Sequence, residues 1–182
     1  MDTRNAIKYW HDKGLKIDSI IYRVYSIGQR HILEFSPYPE GEVIPEEEAG
    51  YFIVNTNLTW SKEDYKDMLQ QQKAAAYGDR RFSIRKIEKG ATVFLYQNGI
   101  GVIAYGKAID NYKSTYNTRK QLDELYIPMR FDWQVNPETE GEKAIHAWEI
   151  NRELEAQYSF RQTVFSIPQK MAEKIKELAS KK

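Results

Sequence analysis

The sequence predicts an α+β fold in which a small, strongly curved sheet carries helices packed outside it. Strand-like apolar runs and amphipathic helical segments follow one another without the regular alternation of a doubly wound sheet. One hairpin signal is clear, because Asn98-Gly99 stands between two apolar runs. The length of 182 residues fits one main fold with a modest appendage.

Composition narrows the class of protein. The chain has no cysteine, which excludes disulfides, thiol catalysis and cysteine-ligated metal sites and suits a reducing cytoplasm. No apolar run approaches the roughly 20 residues needed to cross a bilayer, and the first residues lack the layout of a secretion signal. We therefore expect a cytoplasmic protein without membrane contact. The net charge of +1 means that any nucleic-acid contact must depend on a local basic patch.

The N-terminal part is predicted to be an appendage over residues 1–49. A helix is expected at 3–12, followed by strands at 17–27 and 30–36 that Gly28-Gln29 joins in a tight turn. Prolines interleaved with an acidic run mark residues 37–49 as a linker. The main domain is then residues 50–182.

Turn residues and helix caps divide the main domain into elements. Ser61 with Asp64, and Ser166 with Gln169, have capping-box spacing, and Pro168 suits a first helical turn. The expected elements are a buried strand at 50–54, a helix at 62–75 that Tyr77-Gly78 ends, a loop at 79–89, strands at 92–96 and 100–109, an exposed loop at 111–121, a strand at 125–135, a helix at 141–154, a strand at 160–165, and a C-terminal helix with Met171, Ile175 and Leu178 on one face.

Several kinds of chemistry find no support in the residues. The three histidines lie far apart without a partner at metal-ligand spacing, so we expect no metal site. The phosphate-binding loop ending in Gly-Lys-Ser/Thr, the dinucleotide glycine pattern and the serine elbow are all missing. We therefore expect a binding protein without a cofactor, and not an enzyme.

Three aromatic residues stand where a binding pocket could form. Trp60 lies in the polar loop after the first core strand, Tyr77 ends the predicted helix, and Tyr96 ends the strand before the Asn-Gly turn. In a compact barrel these positions can converge and sandwich a flat ring. Taken singly, each ring is better explained as a cap on the core, and only the joint occurrence of the three beside basic residues favours a pocket.

Polar and basic residues accompany these rings. Arg161 and Gln162 are expected to open the last strand, where they could address a base edge or a phosphate. Near Tyr77 lie three further candidates for phosphate contacts: Arg80, Arg81 and Arg85.

Residues 50–178 resemble the EVE domain of the PUA-like superfamily, a relative of the YTH and ASCH domains. The matching pieces are Tyr51-Phe52-Ile53-Val54 with its polar turn, the aromatic-glycine step Tyr77-Gly78, the segments 89–96 and 101–108, and the ending 161–168. The family usually has tryptophan where Tyr77 stands, and segment 79–89 is shorter than usual. The resemblance implies a twisted, barrel-like sheet with flanking helices that recognises a modified or flipped base in DNA or RNA.

These observations combine into a hypothesis of a modified-base reader. Trp60, Tyr77 and Tyr96 would form the cage, and Arg80, Arg81, Arg85 and Arg161 would hold phosphates. The base edges would be addressed by Asn55, Thr56, Asn98 and Gln162.

Two other functions stay open. The first is a protein-interaction or regulatory module of a phage or mobile element, suggested by the N-terminal hairpin and acidic linker. The second is an enzyme acting on nucleic acid, for which no acid, nucleophile or metal set is visible. A nuclease or ATPase on a separate chain would suit a reader as its protein partner.

Overall fold

The computed structural model describes residues 20–27, 30–37, 49–56, 61 and 63–182, the first two stretches by backbone alone. Two compact units make up the chain, Met1–Pro45 and Glu46–Lys182. The predicted helix at 3–12, the Gly28-Gln29 turn and most of the predicted linker lie outside the described residues. The assignment of residues 1–49 as an appendage stays a prediction.

The first unit contains a β-hairpin. β1 (Ile20–Ile27) pairs antiparallel with β2 (Arg30–Pro37), so that Ile20 stands opposite Pro37 and Ile27 opposite Arg30. Both predicted strands are confirmed within one to three residues of their expected ends.

The second unit places helices around one sheet, which confirms the predicted α+β class. Among its described residues, 3-10 helices cover Gly78–Lys86 and Gly141–Lys143. Its strands and α-helices are β3 (Tyr51–Asn55), α1 (Asp64–Gln70), β4 (Lys73–Tyr77), β5 (Thr92–Gln97), β6 (Gly101–Ala108), β7 (Lys113–Asn117), β8 (Leu122–Gln134), α2 (Ala147–Glu153), β9 (Val164–Ile167) and α3 (Gln169–Ala179).

The sheet runs in the order β4-β8-β6-β5-β3-β9, with β7 added to β8, and it curls into a half-barrel. β3 and β5 are parallel, whereas the other pairs in this sheet are antiparallel. The 13-residue β8 pairs with β4 and β7 along its first half and with β6 along its second. The register of β6 against β8 shifts between Tyr105 and Gly106. A Cβ atom on Gly106 would lie 2.0 Å from the Arg130 carbonyl oxygen. Only glycine fits this close approach.

The core lies on both faces of the sheet, because neighbouring strand residues point to opposite sides. Val54 and Leu95 pack on one face with α1 and β4, while Ile53 and Phe94 pack on the other with α2 and α3. Met171 and Ile175 of α3 are buried in this second cluster, which confirms their predicted face.

The predicted helix at 62–75 is wrong in its second half. α1 ends at Gln70, Gln72 takes a φ of 46°, and residues 73–77 form β4 against β8. Alanine favours helices, but Ala74, Ala75 and Ala76 here are buried strand residues. Tertiary burial and hydrogen bonding to β8 outweigh the local preference. Tyr77-Gly78 therefore ends a strand, and the predicted loop after it is largely a 3-10 helix.

The predicted loop at 111–121 contains the edge strand β7. Its side chains are mostly exposed, so its sequence carries no apolar alternation. It forms a hairpin with the start of β8, in which Lys113 stands opposite Tyr126 and Asn117 opposite Leu122.

Three boundaries near the C-terminus also differ from the prediction. The helix expected at 141–154 is broken, because Ile145 bridges to Val102 before α2 begins. The last strand begins at Val164 and not at Phe160. The caps of α1 and α3 are Glu63 and Pro168, so neither predicted serine caps its helix.

Candidate functional site

Two hollows in the second unit are lined by five of the eleven predicted site residues. We call them the Tyr96 hollow and the Tyr77 hollow. The Tyr96 hollow has a volume of about 420 Å³ and is lined by Tyr96, Asn98, Ala147, Tyr158, Ser159, Phe160 and Arg161. The Tyr77 hollow has a volume of about 460 Å³ and is lined by Ser61, Tyr77, Gly78, Asp79, Arg80, Lys120 and Leu122.

Stacked rings form the apolar floor of the Tyr96 hollow. The rings of Tyr96 and Phe160 lie 4.8 Å apart at an interplanar angle of 24°, and Phe165 meets Phe160 edge-on. Tyr96 and Phe160 are 7% and 5% exposed. Burial raises the pKa of the Tyr96 hydroxyl, so Tyr96 stays neutral at physiological pH. The predicted ring of Tyr96 therefore lies at the hollow, but most of its surface is buried.

The buried side-chain amide of Asn55 forms a brace, by which we mean that it connects two segments at this hollow through hydrogen bonds. The Asn55 Nδ2 donates to the Asn98 Oδ1 at 3.0 Å and to the Phe160 carbonyl at 3.2 Å. The Asn55 backbone N–H donates to the Thr163 carbonyl at 2.9 Å. Asn55 therefore ties the turn after β5 to the irregular segment before β9. Contact between its Nδ2 and a base would require one of these hydrogen bonds to break.

Thr56 is buried beside this brace. Its backbone N–H donates to the Tyr96 carbonyl at 2.8 Å. Its hydroxyl has no hydrogen-bond partner among the described residues, although the residue is only 1% exposed. The residues that follow, 57–60, lie outside the described part of the chain, and they include the predicted cage residue Trp60.

Polar side chains form the rim of the Tyr96 hollow. Asn98 is half-buried, and Tyr158 and Arg161 are exposed. Gln162 is also exposed but does not line the hollow. Arg161 and Gln162 precede β9, so the expectation that they open the last strand is wrong.

The Tyr77 hollow has a cation on its ring. The Lys120 Nζ lies 3.6 Å from the centre of the Tyr77 ring and forms an ion pair with Asp64, which is 1% exposed. The Tyr77 hydroxyl is buried without a hydrogen-bond partner in the described chain. Burial, and then the negative charges of Glu124, Asp64 and Asp67, raise the pKa of Tyr77.

A buried ion cluster lies close to this tyrosine. The Lys73 Nζ is 2.7 Å from Asp67 and 2.6 Å from Glu124, and the second oxygen of Glu124 accepts a hydrogen bond from Asn117 at 2.8 Å. Sequence reasoning missed this cluster, because its partners come from α1, β4, β7 and β8. The available signal in the sequence was a lysine directly before the apolar run Ala74–Tyr77.

The predicted arginines occupy different environments. Arg80 is exposed at the Tyr77 hollow. Arg81 is held by the protein, because its guanidinium donates to the Gly78 carbonyl at 2.7 Å and pairs with Asp123 at 3.2 Å. Arg85 lies outside both hollows, over the ring of Phe82.

The structure thus brings together some predicted residues and separates others. Tyr96, Asn98 and Arg161 meet at one hollow, whereas Tyr77 and Arg80 meet at another. The three-ring cage with Trp60 stays a prediction. Among the described residues, no group of His, Asp or Glu side chains could hold a metal ion. None of the described helices is long and apolar enough to span a bilayer.

Comparison with known proteins gives likenesses of structure alone. No protein-family model and no curated protein matches the sequence. Rpa0253 from Rhodopseudomonas palustris aligns with a TM-score of 0.48 and 10% identity, over 72% of this chain and 93% of its own. Atu2648 from Agrobacterium tumefaciens aligns with a TM-score of 0.47 and 13% identity, over 72% and 93%.

A third similar structure is the YTH domain of the Zygosaccharomyces rouxii MRB1 protein, in complex with N6-methyladenosine RNA. It aligns with a TM-score of 0.45 and 12% identity, over 73% of this chain and 88% of its own. At these scores and identities, the three likenesses assign neither a family nor a ligand to this chain.

Proposed function

We propose that the second unit is a nucleic-acid-binding domain of the EVE type that accepts an unpaired or flipped base in the Tyr96 hollow. One observation carries the proposal. Tyr96 and Asn98 at the turn after β5, and Arg161 63 positions later, were selected from the sequence as base and phosphate ligands, and they line one hollow of about 420 Å³. That volume lies in the range of small-molecule pockets.

The lining of the hollow matches the chemistry of a nucleotide. The exposed ring of Tyr158 provides surface on which a flat heterocycle could stack, above the mostly buried rings of Tyr96 and Phe160, and stacking offsets the few kcal/mol needed to unstack a base. The Asn98 Oδ1 accepts from Asn55, which leaves the Asn98 Nδ2 without a partner in the described chain and able to donate to a base edge. The exposed guanidinium of Arg161 is placed to contact a phosphate.

A methyl group on the base would add apolar contact with the Ala147 methyl group and the ring floor. We therefore propose that the hollow reads a modified base, and that the protein acts by binding and not by catalysis. Trp60, which follows β3 in the sequence, would add a further ring.

Oligonucleotide titration tests the proposal. Fluorescence polarisation of short single- and double-stranded oligonucleotides, with and without a methylated base, would be measured for the wild type, Asn98→Ala and Arg161→Ala. Loss of one hydrogen bond by Asn98→Ala should weaken binding on the order of 10-fold. Arg161→Ala should weaken binding for every sequence and reduce the salt-dependence slope by about 0.7.

Arg130→Ala is the matched control, because the Arg130 side chain is 70% exposed and outside the hollow. It should reduce the slope less than Arg161→Ala. If none of the variants Asn98→Ala, Arg161→Ala and Trp60→Ala weakens oligonucleotide binding, the Tyr96 hollow is not a base site. Retention of a protein partner from lysate after nuclease treatment would favour the interaction module instead.

A further inference from the structure

Four side chains form a row on the surface of the second unit, outside both hollows. We call Arg81, Phe82, Arg85 and Tyr112 the cation–aromatic ladder. The guanidinium carbons of Arg81 and Arg85 lie 4.3 and 4.6 Å from the centre of the Phe82 ring, and that of Arg85 lies 5.4 Å from the Tyr112 ring. Phe82 is 48% and Tyr112 43% exposed. Two large rings are thus held at the surface without being buried.

The two arginines of the ladder differ in their freedom. Arg81 is fixed by Asp123 and by the Gly78 carbonyl, so it orients the ring of Phe82. Arg85 is exposed, and no carboxylate of the described residues forms an ion pair with it. The guanidinium of Arg85 contacts both rings and has hydrogen-bond donors to spare, because a guanidinium carries five. A partner can therefore reach an oriented cation between two exposed rings.

The charge around the ladder is positive although the whole chain is nearly neutral. Segment 79–89 contains five basic residues and two acidic ones, against a net charge of +1 for all 182 residues. The basic members of this segment are Arg80, Arg81, Arg85, Lys86 and Lys89. Such a local excess attracts a polyanion.

We propose that the cation–aromatic ladder binds single-stranded nucleic acid, with unpaired bases stacked on Phe82, Tyr112 and the guanidinium plane of Arg85. The inference rests on the proposed function and deepens it, since it names the form of the polymer and the place of the nucleotides outside the Tyr96 hollow. Exposed rings interleaved with cations suit a strand whose bases and phosphates alternate. A duplex hides its base faces, so it can offer only its phosphates to the ladder.

The test compares oligonucleotides with and without bases. Labelled 12-nucleotide single strands of DNA and RNA, an abasic strand of the same length and a matched duplex would be titrated with the full chain. Tyr112→Ala should weaken binding of the base-containing strands roughly 5- to 150-fold, as expected for loss of one stacked base. It should leave the abasic strand and the duplex unchanged. Phe82→Ala should act in the same direction.

Two further variants separate stacking from charge. Arg85→Lys keeps the charge but removes the guanidinium plane, so it should weaken base-containing strands more than the abasic strand. Tyr116→Ala is the control for a general loss of surface tyrosine, because Tyr116 is 57% exposed and has no described cation over its ring. Circular dichroism melting would check that all four variants remain folded.

The outcomes distinguish this inference from the proposed function. If Asn98→Ala and Arg161→Ala weaken binding but Phe82→Ala and Tyr112→Ala do not, the ladder proposal is wrong and the hollow stands. If only the ladder variants weaken binding, the ladder binds single strands without the proposed base site. Three results would overturn the ladder proposal. The first is an equal loss of binding for abasic and base-containing strands, and the second is an effect of Tyr116→Ala as large as that of Tyr112→Ala. The third is binding of an acidic peptide but of no oligonucleotide.

Discussion

Tyr77 is the last residue of β4 and Tyr96 the last but one of β5, and both line a hollow, yet the protein stabilises the two rings in opposite ways. Tyr96 lies on another ring, with Phe160 at 4.8 Å, and its surroundings are apolar. Tyr77 has an ammonium group 3.6 Å above its centre and buried carboxylates near its hydroxyl. The Tyr96 ring therefore belongs to an apolar cluster, whereas the Tyr77 ring lies within a network of charged side chains.

This difference separates what each hollow can bind. A flat apolar heterocycle gains contact area at the Tyr96 hollow without displacing a charge. At the Tyr77 hollow the same ligand would have to displace Lys120 from the ring and compete with its ion pair to Asp64. Separating a buried ion pair is costly, because each desolvated charge loses its partner. The proposed base site is for this reason the Tyr96 hollow.

The largest expected effect is on the charged network near Tyr77. Lys73→Met leaves Asp67 and the buried Glu124 without their shared counter-ion. We expect the free energy of unfolding to fall by about 3–5 kcal/mol, the usual cost of breaking a buried pair by removing one partner. Urea denaturation followed by circular dichroism measures this change.

The control for Lys73→Met is Lys113→Met, which removes the exposed ion pair of Lys113 with Asp110. Exposed pairs add little to stability, so the urea midpoint should hardly move. Equal midpoints for the two variants would contradict the view that the network near Tyr77 is a buried electrostatic unit.

A smaller effect is expected at the brace under Tyr96. Asn55→Ala removes the hydrogen bonds that the Asn55 Nδ2 donates to the Asn98 Oδ1 and to the Phe160 carbonyl. The free energy of unfolding should fall by about 1–3 kcal/mol, because a buried acceptor is left without a donor. Oligonucleotide binding should also weaken, since the floor and rim of the Tyr96 hollow are no longer tied together.

Asn111→Ala serves as the control for Asn55→Ala, because Asn111 is exposed and its side chain makes no hydrogen bond in the described chain. It should change neither stability nor binding. A stable Asn55→Ala variant with wild-type binding would show that the Tyr96 hollow needs no brace.

The sequence predicted those parts of the fold whose signal is local. The apolar run at Tyr51, the turn at Asn98-Gly99 and the face of α3 with Met171 and Ile175 were all recognised, because each is coded within a few residues. β4 was missed, since the helix preference of Ala74–Ala76 is reversed by pairing with β8. β7 was missed because a strand with mostly exposed side chains has no apolar alternation.

The candidate site was predictable to a similar extent. Tyr96 and Asn98 follow from the end of a strand before a turn, whereas Arg161 was selected as the start of the last strand, which begins only at Val164. Phe160 and Tyr158 were not expected, since they lie in an irregular segment with no periodic pattern. The partners Lys73 and Glu124 are 51 positions apart and become neighbours only when β4 pairs with β8.

The smallest expected effect tests the electrostatic difference between the two tyrosines directly. The pKa of Tyr77 is raised by burial and by nearby carboxylates, whereas that of Tyr96 is raised by burial alone. Above about pH 10 the unfolded chain loses a tyrosine proton that the folded chain keeps. The folded state then binds more protons, so the free energy of unfolding falls as pH rises, by at most about 1.4 kcal/mol per pH unit for one group.

Tyr77→Phe should remove this part of the alkaline slope and change stability near pH 7 by less than about 1 kcal/mol, since the lost hydroxyl has no described partner. Urea unfolding at pH 7, 10 and 11 measures both effects. Tyr96→Phe should flatten the slope less, because no carboxylate adds to the effect of burial. If Tyr96→Phe flattened the slope more than Tyr77→Phe, the expected electrostatic difference between the two tyrosines would be contradicted.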